Sequence, residues 1–151
     1  MKMLNIAKKL LIFTGIIVTG ALGFTSTNVD AASNYGDTHY YMEFNNLSFT
    51  SHDVTPDREK WDATSSYMKT DYVGAANDAD YKFTGYVEKD NGVNLDNNGA
   101  WRYEFGDHTT HFLSNYAYEN YGYGVLIHIR GEAGWNRVDV GTGGVWSPDS
   151  I

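Results

Sequence analysis

The sequence contains no cysteine among its 151 residues. This absence excludes disulfide bonds, thiolate zinc sites, a cysteine nucleophile and a lipid anchor on a modified thiol. Basic residues are also scarce: 11 Lys and Arg stand against 19 Asp and Glu, which gives a net charge of −8. Such a surface repels nucleic acids and anionic lipid headgroups, so neither is expected as a partner.

The N-terminal 31 residues have the order of a secretory signal peptide. Lys2, Lys8 and Lys9 precede an apolar run over residues 10–24, and Val29 and Ala31 are the small residues before a cleavage site. The run is short and rich in Gly and Thr for a membrane span, so no stable membrane insertion is expected after cleavage. Cleavage after Ala31 removes three lysines and one aspartate and changes the net charge from −8 to −10.

The remaining 120 residues suit one domain. We predict a polar lead-in over residues 32–38, a β domain over residues 39–146 and a C-terminal tail over residues 147–151. The last residues do not have the pattern of a wall-sorting signal. An exported protein without disulfides is typical of a Gram-positive bacterium. The expected location is therefore extracellular, with free release into the medium.

Alternation of apolar and polar residues predicts about seven short strands. The clearest segments are residues 39–44, 64–73, 81–88, 101–105, 108–113 and 123–130. Residues 51–61 are interpreted as either one helical turn or a polar loop, and residues 64–73 as a strand at an edge or on a solvated sheet face. Because no segment keeps a helical period for three turns, the predicted fold is all-β, a small antiparallel β-sandwich.

A hairpin over residues 123–140 is predicted as the centre of this domain. Val125, Ile127 and Ile129 alternate with Leu126, His128 and Arg130, and residues 131–134 are interpreted as a turn before a return strand. Pairing Gly131 with Gly134 would place Ile127 opposite Val138 and Val125 opposite Val140, so that both apolar faces coincide. The glycines of residues 141–144 are interpreted as a flexible joint before the tail.

No metal or cofactor is predicted. His108 and His111 are three residues apart, a spacing that points two rings to opposite faces of a strand. The segment from Asp90 to Gly99 departs from the helix-loop-helix calcium pattern, and a looser calcium site at Asp78, Asp80, Asp90 or Asp96 is left open beside ordinary Asx turns.

No motif with a catalytic mechanism is found, so the protein is expected not to be an enzyme and no catalytic residue is assigned. A glycosidase would need two carboxylates at a defined separation. The sequence does not select a pair among Glu43, Glu88, Glu104 and Glu119.

Aromatic residues are the feature in excess. The chain has 23, of which Phe13 and Phe24 lie in the leader, and a 120-residue sandwich cannot bury the other 21 on its inner faces. The densest cluster contains Tyr116, Tyr118, Tyr121 and Tyr123. Exposed tyrosines beside amide and carboxyl groups are typical of carbohydrate or peptide recognition, and these four are the candidate ligand-binding residues. The alternative is that tyrosine serves here as a strand former.

The tail over residues 144–151, Gly-Val-Trp-Ser-Pro-Asp-Ser-Ile, taken with residues 118–124 and the leader, resembles a family of small exported proteins from Gram-positive bacteria. The resemblance implies export and a single β domain, and it implies no catalytic residue. The leader, the lack of cysteine and the richness in Tyr, Trp and Gly are also similar to bacteriocins of the lactococcin 972 type, from which the acidic charge departs.

The expected function is non-enzymatic binding of a cell-envelope glycan or protein, or of another extracellular ligand. A bacteriocin-like antimicrobial effector is the first alternative, and a cell-wall or glycan hydrolase is the second.

Overall fold

The protein is described by a computed structural model that covers residues 33–45, 51–75, 80–134 and 138–151. The predicted leader, residues 1–31, lies outside the described residues. Within them the chain forms nine strands and one short helix, in the order β1 Thr38–Phe44, β2 Ser51–Val54, β3 Arg58–Lys60, β4 Ser66–Gly74, β5 Phe83–Lys89, β6 Tyr103–Phe105, β7 Thr110–Leu113, α1 Ala117–Tyr121, β8 Val125–Ala133 and β9 Val140–Ser147.

The strands form two antiparallel sheets, which confirms the predicted all-β sandwich. The four-stranded sheet has the order β1-β9-β4-β7. The five-stranded sheet has the order β2-β8-β5-β6, and β3 also pairs with β8. No helix in the described part of the chain is both long and apolar enough to cross a membrane.

The core lies between the sheets and is built by alternation along the strands. Residues that are fully buried come from both sheets, and the largest apolar side chains among them are Trp146, Phe44, Phe105, Met42, Met68, Leu113, Ile127 and Ile129. Phe83 stacks on Phe105 with ring centroids 5.1 Å apart and also contacts Phe44 at 5.3 Å. Aromatic packing thus joins the inner faces of the two sheets.

The predicted hairpin is wrong, although its first strand is correct. β8 continues through Gly131 to Ala133 and pairs with β2, β3 and β5, whereas β9 lies in the other sheet. A Cβ at Gly131 would lie 2.9 Å from the sulfur of Met42 and 3.0 Å from the ring of Phe44. Glycine is therefore used here for close packing between the sheets and not for a turn.

The glycine-rich segment predicted as a flexible joint is a central strand. Gly141, Gly143 and Gly144 belong to β9, which pairs with β1 on one side and with β4 on the other. β4 is also internal, between β9 and β7, so it does not lie at the predicted edge, but its outer face is solvated as expected. Backbone pairing on both sides fixes this segment in spite of its composition.

In the segment predicted as a helical turn or a polar loop, residues 51–54 and 58–60 form β2 and β3, and the three residues between them are irregular. Thr55 lies between the two strands and stays paired with β8, since its N–H donates to the carbonyl oxygen of Ile129 at 3.0 Å and its hydroxyl accepts from the N–H of Ile129 at 2.9 Å. Pro56 cannot donate to a sheet and stands at the break.

The tail is anchored in the domain by a buried ion pair. The Lys60 ammonium donates to Asp149 at 2.9 Å and to the carbonyl oxygen of Pro148 at 2.8 Å, and both charged side chains are fully buried. The same carboxylate accepts from the backbone N–H groups of Trp61, at 3.1 Å, and Asn34, at 2.6 Å. Residue 149 thus connects three segments that are distant in sequence.

Candidate functional site: an aromatic face of the four-stranded sheet

The four predicted binding tyrosines lie on and around α1. Each of the three most exposed contacts another side chain of the protein. Tyr116 tilts against Trp101 with centroids 4.5 Å apart. Tyr123, 63% exposed, stacks on Trp61 at 5.8 Å, and the Lys89 ammonium lies 5.8 Å from the ring of Tyr121. Tyr118 is half-buried. We call these four residues the helix surface.

A second group of rings, which sequence reasoning missed, lies on the outer face of the four-stranded sheet. It contains Tyr41 on β1, Tyr67 and Tyr72 on β4, and Phe112 on β7, and we call it the aromatic face. Tyr41 is 60% exposed, Tyr72 is 47% exposed and Phe112 is 56% exposed. The face therefore offers several rings to solvent on one sheet surface.

Tyr41 and Tyr72 lie on either side of the middle of β9, the strand that contains Gly143. Both pair in register with Gly143, one from each side, so their Cα atoms are about 10 Å apart at the usual strand spacing. A Cβ at Gly143 would lie 3.1 Å from the ring of Tyr72, and a Cβ at Gly141 would lie 3.2 Å from the hydroxyl of Tyr41. The missing side chains thus make room for both rings against the backbone of β9.

A β-bulge places Tyr72 on this face. Simple alternation from Met68 and Thr70, both buried, assigns Tyr72 to the inner side. The register shifts between Thr70 and Tyr72, so Asp71 and Tyr72 are both exposed and Val73 returns to the core. The N–H of Val73 is then satisfied by the Asp107 carboxylate at 2.6 Å. An extra residue in one strand has turned a core position into a surface position.

An open groove of about 340 Å³ lies at the end of the aromatic face that contains Tyr67 and Phe112. Tyr67 and Phe112, whose centroids are 5.6 Å apart, contribute to its lining together with the exposed Tyr35. The polar residues Asp37, Ser147 and Ser150 also line it. Flat apolar rings with a few polar groups are the usual composition of a small-ligand site.

Among the described residues the aromatic face carries few charges, and its one lysine is paired with an aspartate. Lys69, which separates Tyr67 from Tyr72 along β4, pairs with Asp71 at 3.0 Å. The pKa of Tyr41 is raised, first by the negative charge of Glu43 and further by the neighbouring Tyr72. The Tyr41 hydroxyl therefore stays protonated at neutral pH and can donate a hydrogen bond to a ligand.

The outer face of the five-stranded sheet carries a different arrangement, a network of charged side chains. His128 contacts Asp57 through Nδ1 at 2.7 Å and Glu88 through Nε2 at 3.4 Å. Arg130 lies 3.7 Å from the same Glu88 carboxylate, and His128 and Glu88 are both buried. Register explains the contact, since His128 pairs with Glu88 across β8 and β5.

The network continues at Glu132, which Tyr86, Arg130 and Arg102 contact at 2.7, 3.0 and 3.2 Å. Burial alone would raise the pKa of Glu132, but the hydrogen bond from Tyr86 and the charges of both arginines outweigh it, so the pKa lies below its ordinary value of 4.5. Burial, followed by the contact with Glu132, raises the pKa of Tyr86. Arg102 also binds Asp96 at 2.7 Å, which ties the loop after β5 to this sheet.

We expect the ionisation of Glu132 to make the free energy of unfolding depend on pH. A carboxyl whose pKa is lower in the folded state stabilises the fold above its unfolded pKa, and this contribution is lost as the pH falls through the folded value. Replacing Glu132 by Gln should therefore reduce the loss of stability between about pH 7 and pH 3. Urea unfolding of both proteins at the two pH values measures this, and an equal loss in both would contradict the assignment.

Those residues considered for metals that the structure describes have other partners or surroundings. His108 lies in a turn with a φ of 53°, and the Nε2 of His111 contacts the carbonyl oxygen of Glu104 at 3.0 Å. Asp78 lies outside the described residues, Asp80 is exposed, Asp90 pairs with Lys89, and the buried Asp96 binds Arg102 and the N–H of Gly99. Among the described residues no group of three or more His, Asp or Glu could hold a metal ion.

The four glutamates considered for hydrolysis lie in different surroundings. Glu43, Glu104 and Glu119 are exposed, and Glu104 pairs with Lys82 at 2.7 Å. Glu88 alone is buried, in the His128 network.

A family model described as "Protein of unknown function (DUF2712)" matches residues 27–150. No curated protein and no solved structure matches the chain.

Proposed function

Since the chain belongs to the DUF2712 family, whose description assigns no activity, we propose a function from its own surface: an exported, non-enzymatic protein that binds a cell-envelope ligand on the aromatic face. The observation that supports this proposal is the pair of exposed rings, Tyr41 and Tyr72, which lie against the backbone of β9. The basic and apolar N-terminal segment supports export.

The aromatic face is favoured over the helix surface because of how the rings are arranged. Rings of the helix surface already contact Trp101, Trp61 and Lys89. On the aromatic face, Tyr41 and Tyr72 rest on backbone and keep their outward faces for a ligand. The groove beside Tyr67 and Phe112 extends the same surface.

Cell fractionation tests export and binding together. We express the full chain in a Gram-positive host and expect the protein outside the cell, associated with the walls. In the double variant Tyr41→Ala, Tyr72→Ala the ratio of wall-bound to released protein should fall about fivefold or more, because two stacked rings at about 0.5 to 1.5 kcal/mol each contribute about 1 to 3 kcal/mol.

The double variant Tyr121→Ala, Tyr123→Ala is the matched control, since it also removes two exposed tyrosines. We expect it to stay on the walls. Loss of wall binding in this control alone would move the site to the helix surface. Wall association that survives both double variants would reject binding through either surface. A protein retained inside the cell would reject export.

A further inference from the structure

Resting on the function proposed above, we infer that the ligand of the aromatic face is a neutral, ribbon-shaped glycan with β-1,4 linkages. The inference starts from shape. Tyr41 and Tyr72 lie on both sides of one residue, Gly143, in the middle of a sheet whose central strand lacks large side chains there. A surface of this kind is open along the sheet, so it suits an extended polymer better than a compact ligand.

Charge argues against a polyanion. Phosphate-rich or carboxylate-rich polymers are held by clusters of Lys and Arg. On this face Lys69 is already paired with Asp71, and Glu43 lies beside Tyr41. The chain as a whole carries a net charge of −8. A neutral polymer approaches this surface without electrostatic repulsion.

The polar groups present are those that sugar hydroxyls need. Sugar rings carry C–H groups on their faces, which pack on aromatic rings, and hydroxyls around their edges. Tyr41 and Tyr72 supply both a ring and a hydroxyl. In the groove, Asp37 can accept from a hydroxyl while Ser147 and Ser150 line the same space as Tyr67 and Phe112. Sugar units over Tyr41 and Tyr72 would cross β9, because both tyrosines lie opposite Gly143, whereas the groove lies farther along β4 at Tyr67.

The geometry of the glycosidic bond decides which neutral glycans can contact both tyrosines. Equatorial β-1,4 bonds give a flat ribbon whose successive rings present their faces to one side. Axial α-1,4 bonds give a coiled chain that turns its rings away from a surface. Because Tyr41 and Tyr72 belong to strands on either side of β9, a ligand must keep two ring faces turned toward one sheet to contact both.

The experiment is titration calorimetry with hexamers of β-1,4-linked glucose and β-1,4-linked N-acetylglucosamine, and with the α-1,4-linked glucose hexamer as matched control. We expect at least one β-linked hexamer to bind about tenfold or more tighter than the α-linked hexamer. Tyr41→Ala with Tyr72→Ala should abolish this preference, whereas Tyr41→Phe with Tyr72→Phe should retain most of it, because the rings remain.

The outcomes separate the inference from the function on which it rests. Wall association that depends on Tyr41 and Tyr72, without binding of either β-linked hexamer, would overturn the β-1,4-linked glycan and leave the proposed binding to the envelope in place. Equal binding of the α-linked and β-linked glucose hexamers would overturn the ribbon shape. Binding of a β-linked hexamer by a protein that does not associate with walls would support the glycan class and reject the envelope.

Discussion

Replacing Asp149 by Ala is expected to lower the free energy of unfolding by about 3 to 5 kcal/mol, because it leaves the buried Lys60 ammonium without its counter-ion. Both side chains are fully buried, and their atoms are 2.9 Å apart. The substitution also removes the acceptor used by the N–H groups of Trp61 and Asn34. Urea unfolding followed by circular dichroism measures the loss.

The matched control is Glu104→Ala, which breaks the pair of Lys82 and Glu104. This pair is as short, at 2.7 Å, but both side chains are more than half exposed, so the expected change is about 1 kcal/mol or less. Adding Lys60→Met to Asp149→Ala should recover part of the stability, since no buried charge then remains unpaired. Unfolding of Asp149→Ala at the wild-type urea concentration would refute the role of this ion pair.

Replacing Gly144 by Ala is expected to cost about 3 kcal/mol or more, or to prevent folding, because no space exists for one methyl group. A Cβ at Gly144 would lie 2.0 Å from the carbonyl oxygen of Lys69 and 3.1 Å from the backbone nitrogen of Asp71. These are backbone atoms held in the sheet at the bulge, so they cannot move aside as a side chain would. Thermal unfolding measures the effect.

Two glycines provide controls with the same change of residue. A Cβ at Gly141 would meet only the exposed ring of Tyr41, which can move, and a Cβ at Gly74 would meet nothing within 4 Å. Both Gly→Ala variants should unfold within a few degrees of the wild type. A Gly144→Ala protein as stable as these two would show that β4 and β9 are not so closely apposed.

The fold class could be predicted because alternation is a local property of the chain. Val125, Ile127 and Ile129 are in the core as their spacing predicts, and so are Tyr40, Met42 and Phe44 on β1. Strand partners could not be predicted, because an apolar face is satisfied equally by a hairpin partner or by the opposite sheet. The pairing of β8 with β5, and not with β9, depends on contacts between distant segments.

The candidate site was missed for a related reason. Alternation along β4 places Tyr72 on the same side as Met68 and Thr70, which are buried, and only the bulge near Asp71 turns Tyr72 outward. Tyr41, Tyr67 and Phe112 stand in three separate strands, so no local cluster marks them, whereas Tyr116 to Tyr123 cluster in sequence. The signal that was available is the spacing of Gly141 and Gly143, which alternate on one face of a strand and leave room above it.

The position of β9 in the chain bears on the export proposed above. β9 follows every other described strand in the chain, yet it lies between β1 and β4, and Thr38 pairs with Trp146. A ribosome must therefore complete nearly the whole domain before this sheet can close, and such long-range pairing is slow. A four-stranded sheet that cannot form before β9 has been synthesised would suit the export proposed above.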